Sequence, residues 1–382
     1  MFSRLFAITS VLAASAAWAK ILYAGVNESG GEFSVWSNTK TVGTGLPGRF
    51  GTDYAFINKS TVDIFVDNEK ANFFRVTFLM ERMCPVATGL GSTFNDTYFG
   101  FYEDAINYIT KTKGAYALID PHNYMRYNDP SQQPTTGSII GDTTDPKAAT
   151  TAQFGEFWAE LARRFVDNEK VVFGINNEPH DMLTSLVFAN NQAAITGIRS
   201  VGAKQLILAP GNGYTGGHSF TQLTGAGNWA PSSDYMFKLH DPANNYAIDI
   251  HEYLDIDFSG GHAECAQPAP SNLAALTTWL KKHSLKAMIT EFSGGDNQNC
   301  YNYIDELLTY MEQNKEYIGW TAWAAGPIWG NNSPCCGPDT GSLEPGALNA
   351  LGQPSAYSTV WATAMRPHIP TTLKWSGIST TK

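Results

Sequence analysis

Residues Val171–Asp181 read VVFGINNEPHD, and this stretch decides the fold of the chain. Its first five residues form a short apolar run, which is typical of a fully buried strand. Pro179 cannot donate a hydrogen bond to a sheet, so we expect the strand to stop near Glu178. A carboxylate at the end of a buried parallel strand lies where α/β proteins build active sites. Taken alone, the Asn177-Glu178-Pro179 sequence is equally compatible with a Glu that caps a helix or pairs with a lysine.

Seven further apolar runs resemble the first, and a helical pattern or a long loop follows each of them. Alternating strands and helices predict a parallel sheet, and eight repeats predict a closed (β/α)8 TIM barrel, an α/β fold with a single domain and enlarged βα loops. An open doubly wound sheet is the alternative, but it requires a Gly-rich phosphate fingerprint after the first strand, which Gly30-Gly31 does not provide. The other predicted strands are Ile21–Val26, Asn72–Phe78, Tyr116–Ile119, Gln205–Ala209, Ala247–His251, Lys286–Thr290 and Ile318–Trp323. The predicted helices span residues 60–69, 99–113, 148–168, 190–201, 271–283, 301–314 and 353–365, with Ser271 as an N-cap.

Charge and composition argue against several classes of partner. The chain has 382 residues, with 25 Lys and Arg against 35 Asp and Glu and a net charge of −10. An acidic surface argues against nucleic acid and anionic membrane partners, but it says little about a neutral substrate. Aromatic residues make up 13% of the chain, and Trp and Tyr in loops suit a cleft in which rings stack on sugar faces. We expect a monomer.

Residues 1–19 have the pattern of a secretory signal peptide. Arg4 precedes the apolar run Leu5–Ala14, and Ala17-Trp18-Ala19 forms a small-x-small cleavage site before Lys20. The apolar run is too short for a membrane span, and no other stretch approaches the length that a membrane-spanning helix requires. We therefore predict a secreted, extracellular mature chain formed by residues 20–382.

Secretion permits disulfide bonds and glycosylation, and the sequence offers sites for both. An odd number of cysteines leaves at least one unpaired within the chain. Cys265 and Cys300 flank a helix–strand unit and are the preferred pair, while the partners of the other cysteines stay open: Cys84, Cys335 and Cys336. Sequons for N-glycosylation occur at four positions, of which the one before Pro334 is the least favoured: Asn27, Asn58, Asn95 and Asn331.

Polar side chains collect where the predicted strands end. Glu178 follows the fourth strand and Glu291 the seventh, and in a barrel these ends ring one mouth. Arg75 lies inside the second strand, where a charge is costly unless it is paired. A structural ion pair and an arginine beneath a catalytic carboxylate are equally compatible with this position. The other polar and aromatic residues at strand ends are His122, Asn123, His251, Tyr253 and Trp323.

Two carboxylates that face each other across a cleft with an aromatic rim suit the cleavage of a glycosidic bond. One must be protonated so that it can donate to the leaving oxygen, and the other must be ionised so that it can attack the anomeric carbon. The sequence predicts no cofactor and no metal, because no Cys/His cluster has zinc spacing and His180-Asp181 lacks a third ligand at a suitable spacing.

The ordered set of motifs resembles one known family. Asn177-Glu178-Pro179 after the fourth strand, with Glu291 after the seventh, is similar to the retaining glycosidases built on this barrel. Within them, the chain resembles the fungal endo-β-1,4-glucanases, or secreted cellulases, of glycoside hydrolase family 5. The resemblance covers nearly the whole mature chain and extends to Phe73–Val76, Asp120–Tyr124, His251–Tyr253 and Gly319–Pro327, all in the order of the family.

The resemblance implies roles for the residues around the scissile bond. Glu178 would be the general acid/base and Glu291 the nucleophile, which forms a glycosyl-enzyme that water then hydrolyses. Asn177 would hydrogen-bond the sugar 2-hydroxyl group. Arg75 would lie against the nucleophile and keep it ionised, and Tyr253 would hydrogen-bond it.

The resemblance also implies a set of substrate-binding residues. His122 and His251 would bind the sugar on one side of the scissile bond and tune the acid, although the residue pattern alone favours a structural histidine at position 122. Trp320 and Trp323 cannot share one strand face, and we expect Trp323 to face the cleft. Asn123 and the loop residue Trp36 complete the predicted set, and Trp229 and Trp329 are further loop positions that could line subsites.

These observations predict a retaining endo-β-1,4-glucanase whose partner is a β-glucan polysaccharide or oligosaccharide. The chain shows neither a cellulose-binding module nor a linker, so soluble, amorphous or mixed-linkage β-glucans are the favoured substrates. A β-mannanase or an exo-β-1,3-glucanase of the same family is the enzymatic alternative. A non-catalytic carbohydrate-binding barrel is the third, but such a barrel has no reason to keep both glutamates.

Overall fold

The computed structural model describes residues 21–33, 37–38, 41–42, 46–128, 137–328, 341–348, 352–371, 373 and 375. Several predictions therefore concern residues outside the described part of the chain: the signal peptide 1–19, Trp36, Trp329, Asn331, Cys335 and Cys336.

Eight parallel strands form a closed barrel, which confirms the predicted (β/α)8 fold. Every strand pairs with its neighbours along the chain, and the last strand closes the ring by pairing with the first, so that Tyr23 lies beside Gly319. Each strand begins and ends within two residues of its predicted position, because buried apolar runs bounded by polar residues mark strands well. The strands are β1 (Tyr23–Glu28), β2 (Phe73–Phe78), β3 (Tyr116–Pro121), β4 (Val171–Gly174), β5 (Ile207–Pro210), β6 (Tyr246–His251), β7 (Ala287–Glu291) and β8 (Tyr317–Ala325).

Helices and long loops connect the strands. Two helices continue as π-helical turns, α1 (Lys59–Asp63) into residues 64–68 and α3 (Asp96–Asn107) into residues 108–112. The others are α2 (Met80–Met83), α4 (Thr151–Phe165), α5 (Thr184–Ser200), α6 (Ala269–His283), α7 (Gln298–Gln313) and the π-helical α8 (Tyr357–Met365). Short 3₁₀ turns at 232–234, 236–238 and 366–368 and two small ribbons, 37–38 with 41–42 and 126–127 with 138–139, complete the described elements.

The observed helices begin between one and six residues from their predicted starts, and the N-cap predicted at Ser271 was wrong. Helix α6 begins at Ala269 after the cap residue Pro268, and Ser271 lies inside its first turn, because Pro270 suits the start of a helix. Helix α5 begins at Thr184, six residues before the predicted start at Asn190. Its early turns contain Val187, which is buried against the barrel, so tertiary packing extends the helix through residues with modest helix propensity.

The barrel interior is apolar at one end and polar at the other. Because successive strand residues point to opposite faces, alternate side chains fill the interior in layers. An apolar layer at the amino ends of the strands consists of Tyr23, Phe73, Tyr116, Leu118, Val172, Leu208, Ala247 and Met288. Two positions further along β2 the interior holds Arg75, which is fully buried. The polar layer thus begins where the strands approach their carboxyl ends.

Two long-range links hold the outer layer. The predicted disulfide between Cys265 and Cys300 is present and joins the loop before α6 to α7, while Cys84 is buried and has no disulfide partner among the described residues. Glu69, after the π-helical turn that follows α1, accepts hydrogen bonds from the side chains of Tyr357, Trp361 and Arg366, which ties α8 to the start of the barrel. None of the helices in the described part of the chain combines the length and the apolar character needed to cross a membrane.

Candidate active site

Strands β4 and β7 bring the two predicted catalytic glutamates together. Glu291 is the last residue of β7, and Glu178 lies just beyond β4, where the Asn177 backbone N–H donates to the Pro121 carbonyl at 3.0 Å. Glu178 has a φ of +40°, an uncommon backbone conformation for this residue type that is found most often at functional sites. One carboxylate oxygen of Glu178 lies within 4.8 Å of one carboxylate oxygen of Glu291. The two side chains therefore face one shared space.

Arg75 organises the floor of this space. One of its terminal nitrogens, Nη1, donates to Glu291 Oε1 at 2.5 Å and to Asn27 Oδ1 at 2.9 Å. The other, Nη2, donates to Asn177 Oδ1 at 2.6 Å and lies 2.9 Å from Asp120 Oδ2. Burial acts to lower the pKa of Arg75, but the carboxylates of Asp120 and Glu291 outweigh it and raise that pKa. The guanidinium is thus a permanent positive charge beneath Glu291.

Hydrogen bonds fix the orientation of both Glu291 and Asn177. The Tyr253 hydroxyl donates to Glu291 Oε2 at 2.8 Å, so that each carboxylate oxygen of Glu291 has its own donor. Asn177 accepts from Arg75 through its amide oxygen, and among the described residues its Nδ2 has no hydrogen-bond partner. Asn177 therefore keeps a donor for a group that enters the cleft.

Glu178 has a different environment from Glu291. Burial raises the pKa of Glu178 to about 7, and the charges of His122 and Arg75 oppose this rise without cancelling it. About 16% of its side-chain surface stays exposed, so the carboxyl reaches the cleft. Its Oε1 lies 2.7 Å from His251 Nδ1. Near neutral pH this group therefore holds or releases a proton readily, which suits a general acid/base.

The two predicted histidines both lie at this site. Burial lowers the pKa of His251, whose Nδ1 is also 3.5 Å from Glu291 Oε2, so the ring spans the catalytic pair. His122 Nδ1 lies 3.0 Å from Asp120 Oδ2. Burial acts to lower the pKa of His122, but the hydrogen bond and the charge of Asp120 outweigh it and raise that pKa. The ring of His122 is therefore held in place by its contact with Asp120 rather than by the apolar core.

Trp323 faces the cleft and Trp320 does not. The Trp323 ring stacks on His122 with centroids 5.3 Å apart and planes 19° apart, and it stays partly exposed. Trp320 is 1% exposed and packs against Phe292 and Trp361 in the core. Trp229 is partly exposed, and a Cβ at Gly225 or Gly227 would clash with its ring, so the turn between these glycines lies against it.

Asn123 is the one described member of the predicted substrate-binding set that lies away from the cleft. Its Oδ1 accepts from the Met80 backbone at 2.9 Å, and its Nδ2 donates to Glu81 Oε2 at 2.7 Å. The side chain is fully buried and, unlike that of Asn177, has protein partners at both ends of its amide. The prediction of a substrate contact at Asn123 is corrected: this residue ties the loop after β3 to helix α2.

Sequence reasoning missed the role of Asn27. We interpreted this residue as the acceptor of an N-glycosylation sequon. Its Nδ2 instead donates to the Thr290 carbonyl at 2.8 Å and to the Ala322 carbonyl at 3.0 Å. Its Oδ1 accepts from Arg75, and the residue is fully buried. A glycan on Nδ2 is incompatible with this position. The signal that could have found Asn27 is its place at the end of β1, in register with Arg75 on β2.

Two groups of described residues have side-chain atoms close enough to hold a metal ion, and one of them is Glu178, His251 and Glu291. In that group both oxygens of Glu291 already accept hydrogen bonds, and the donor Arg75 carries a positive charge that opposes a cation. The arrangement suits proton transfer and nucleophilic attack better than ion binding. A (β/α)8 barrel with such a carboxylate pair at the carboxyl ends of its strands defines a glycoside hydrolase.

Comparisons with known proteins agree with this class. Residues 26–328 match the family model described as Cellulase (glycosyl hydrolase family 5), and the chain belongs to this family. The chain is similar to Endoglucanase 1 of Robillarda sp. (strain Y-20), with 61% identity over 373 residues that cover 97% of this chain and 95% of the relative. It is 37% identical to Endo-beta-1,4-glucanase B of Aspergillus niger over 330 residues, which cover 86% of this chain and 88% of that protein.

Solved structures show the same architecture. The structure of XacCel5A in complex with cellopentaose is 30% identical, with a TM-score of 0.75, and the match covers 90% of this chain and 99% of that one. Cel5A (EG2) from Hypocrea jecorina (Trichoderma reesei) is also 30% identical, with a TM-score of 0.67 over 80% of this chain and 90% of that one.

Proposed function

We propose that this protein is a secreted endo-β-1,4-glucanase that hydrolyses internal bonds of cellulose and mixed-linkage β-glucan with retention at the anomeric carbon. The observation that carries the proposal is the approach of Glu178 and Glu291 to within 4.8 Å, oxygen to oxygen. Retaining glycosidases place their carboxyl groups about 5–5.5 Å apart, whereas inverting enzymes need about 6.5–9.5 Å to admit a water. The names of the relatives and the cellopentaose complex support the β-1,4-glucan substrate.

In the first step the Glu291 carboxylate attacks the anomeric carbon while protonated Glu178 gives its proton to the glycosidic oxygen. The bond from carbon to that oxygen breaks, an ester to Glu291 forms, and the leaving sugar departs with the proton. Arg75 and Tyr253 hold the attacking carboxylate in position through a hydrogen bond to each oxygen. Asn177 donates from its otherwise unpartnered Nδ2 to the sugar 2-hydroxyl, a contact that strengthens in the transition state.

In the second step the ionised Glu178 takes a proton from a water molecule. The resulting hydroxide-like oxygen attacks the anomeric carbon, and Glu291 leaves as a carboxylate. Two inversions at one carbon give net retention. A pKa of about 7 at Glu178 lets the same group act as an acid in the first step and as a base in the second. His122 and Trp323 form a stacked wall that positions the sugar beside Glu178.

The proposal is tested by comparing hydrolysis of carboxymethyl cellulose, mixed-linkage β-glucan, mannan and laminarin by the purified chain. We expect the first two to be hydrolysed, with a rapid fall in viscosity for each reducing end released, because cleavage is internal. Preference for mannan or laminarin would instead support the β-mannanase or the exo-β-1,3-glucanase. Proton NMR of the first product should show the β-anomer, and an α-anomer would contradict retention.

Variants separate catalysis from binding. Glu178→Gln should lower the rate on carboxymethyl cellulose by about 10²–10⁴-fold through loss of the general acid, and Glu291→Gln should lower it at least as much because no ester can form. Glu306→Gln, at an exposed position on α7, is the matched control and should retain full activity. Wild-type rates in both active-site variants would refute the catalytic roles of the pair, whereas a wild-type chain that binds β-glucan without hydrolysing it would support a carbohydrate-binding barrel.

A further inference from the structure

Asp249 is a buried carboxyl group that the proposed mechanism does not use. It lies on β6 between Ala247, which belongs to the interior apolar layer, and His251, which contacts both catalytic glutamates. Because alternate strand residues share a face, all three side chains point into the barrel. Asp249 is 3% exposed and lies one layer beneath His251. This position places a carboxyl group directly under the histidine that touches the general acid.

The surroundings of Asp249 offer little stabilisation to a negative charge. The cations that act on it are His251 on the same strand and Arg75 on β2, which is not adjacent to β6. Burial lowers the pKa of His251, and the terminal nitrogens of Arg75 already contact Asn27, Asp120, Asn177 and Glu291. The hydrogen bond that the structure gives to the Asp249 carboxyl comes from the neutral hydroxyl of Thr290, which donates to Oδ1. The carboxylate of Asp120 also faces this layer. An ionised carboxylate with one neutral donor is costly in a barrel interior, so this environment favours the carboxylic acid form.

The ring of His251, one layer above Asp249, has a buried nitrogen without a partner among the described residues. His251 Nδ1 is directed at Glu178 Oε1 and Glu291 Oε2, whereas among the described residues His251 Nε2 has no hydrogen-bond partner and is sealed from solvent. Buried polar atoms without partners are rare in folded proteins. Asp249 and Nε2 do not form a direct hydrogen bond in the structure, so a contact between them requires an enclosed water or a side-chain rotation.

We propose that Asp249 is a positioning residue that donates its carboxyl hydrogen towards His251 Nε2 and so keeps the imidazole proton on Nδ1. The Nδ1–H group then donates to Glu178 Oε1, which leaves the acidic hydrogen of Glu178 on Oε2 for the glycosidic oxygen. After that proton has left, the same N–H stabilises the Glu178 carboxylate. The opposite tautomer would present a lone pair to Glu178 and hold the acidic hydrogen on the histidine side. This inference rests on the proposed role of Glu178 as the acid.

Two variants at position 249 distinguish this role from simple packing. Asn has the shape of the protonated carboxyl group, with an oxygen for Thr290 and an N–H for His251, so Asp249→Asn should preserve the tautomer and keep kcat within about threefold of the wild type. Asp249→Ala removes the donor and should lower kcat by about 10–100-fold with little change in KM, which is the scale seen when a partner that orients a functional histidine is lost. Because Asn would also fill the same space in a purely structural role, the tautomer of His251 is the measurement that separates the two roles.

The direct readout is the protonation of His251 in protein labelled with ¹⁵N at histidine. Two-bond proton–nitrogen spectra show which ring nitrogen carries the hydrogen, and a His251→Gln variant assigns the signals. We expect Nδ1–H in the wild type and in Asp249→Asn, and Nε2–H or a mixture in Asp249→Ala. If Asp249→Ala does not fold, Thr290→Val, which removes only the hydroxyl donor to Oδ1, should shift the tautomer ratio in the same direction.

Three results would overturn the inference: Nε2–H in the wild type, an unchanged tautomer in both Asp249→Ala and Thr290→Val, or an Asp249→Asn variant as slow as Asp249→Ala. The spectra need no substrate, so they are independent of the proposed function. A wild-type chain that hydrolyses carboxymethyl cellulose with Nε2–H at His251 would refute only the role of Asp249. A chain with Nδ1–H that hydrolyses no β-glucan would refute the glucanase assignment instead.

Discussion

His251 Nδ1 lies 2.7 Å from Glu178 Oε1, although 73 residues separate them in the chain. The contact forms because β4 and β6 end at the same mouth of the barrel, and it orients a carboxyl group whose burial raises its pKa to about 7. The ring therefore fixes the direction of Glu178, and burial raises its proton affinity.

The first prediction concerns pH. The general acid works only when protonated, so kcat/KM on carboxymethyl cellulose should fall as pH rises through about 7, where Glu178 loses its proton. For an aryl cellobioside with a good leaving group, the first step needs no proton, and its rate should fall much less over the same range. A rate on carboxymethyl cellulose that stays constant to about pH 9 would contradict this assignment.

The second prediction concerns Arg75. Replacement by Met leaves Glu291 and Asp120 buried without their cation, which should lower the free energy of unfolding by about 3–5 kcal/mol and abolish most of the activity. Arg49→Met is the matched control, because Arg49 pairs with Asp53 at the surface and its side chain is 67% exposed. The melting temperature of that control should change little, and equal losses in both variants would refute the special position of Arg75.

The third prediction isolates one hydrogen bond to the nucleophile. Tyr253→Phe removes the donor to Glu291 Oε2, and a hydrogen bond to a charged group contributes about 1.5–3 kcal/mol, so kcat/KM should fall by roughly 10–100-fold. Tyr102→Phe removes a buried hydroxyl that donates to the Val76 carbonyl at 2.8 Å, away from the catalytic pair. The control should lose stability and keep its activity per folded molecule. The same kinetic loss in both variants would show that Tyr253 acts only through packing.

The fourth prediction follows from the corrected position of Asn123. Asn123→Ala removes the partners of Glu81 Oε2 and of the Met80 N–H, which should cost about 1–3 kcal/mol of stability and leave KM nearly unchanged. Trp323→Ala should show the reverse, with a KM on cello-oligosaccharides raised by about tenfold, because a stacking ring at the cleft is lost. Denaturant titration and steady-state kinetics on both variants check this. A large rise in KM for Asn123→Ala would return that residue to the substrate-binding set.

The fifth prediction concerns the disulfide. Replacing Cys265 and Cys300 by Ser opens a loop closed over 35 positions, and removal of such a bridge typically costs about 2–5 kcal/mol. Added reductant should lower the melting temperature of the wild type and leave that of the double variant unchanged. Cys84→Ser controls for the loss of a buried thiol and should keep its sensitivity to reductant. An equal response of the wild type and the double variant would show that the bridge does not constrain the chain.

The sequence predicted the strands well and the polar layer only in part. Apolar runs with polar ends mark every barrel strand, because burial and alternation leave a local pattern. The direction of a side chain in a loop leaves no such local pattern in the sequence. Asn123 turns away from the cleft, and its amide binds Met80 and Glu81 instead, two residues that lie more than 40 positions earlier in the chain. The sequence around Asn27 and Asp120 does not indicate that either residue contacts Arg75. Their roles follow from the pairing of β1, β2 and β3, which places both residues beside Arg75.

The buried side-chain amide of Asn27 affects how much folded protein a host can produce. Sugar transfer acts on the nascent chain, before the barrel exists, and at that moment the Asn27-Glu28-Ser29 sequence is an open acceptor. Any molecule that receives an oligosaccharide there is unable to seat β1 against β8 and β7, since the modified nitrogen must donate to carbonyls on both strands. We expect the occupied fraction to be retained and degraded in a eukaryotic host. The Ser29→Ala variant, which removes the acceptor sequence and keeps Asn27, should therefore raise secretion yield rather than specific activity.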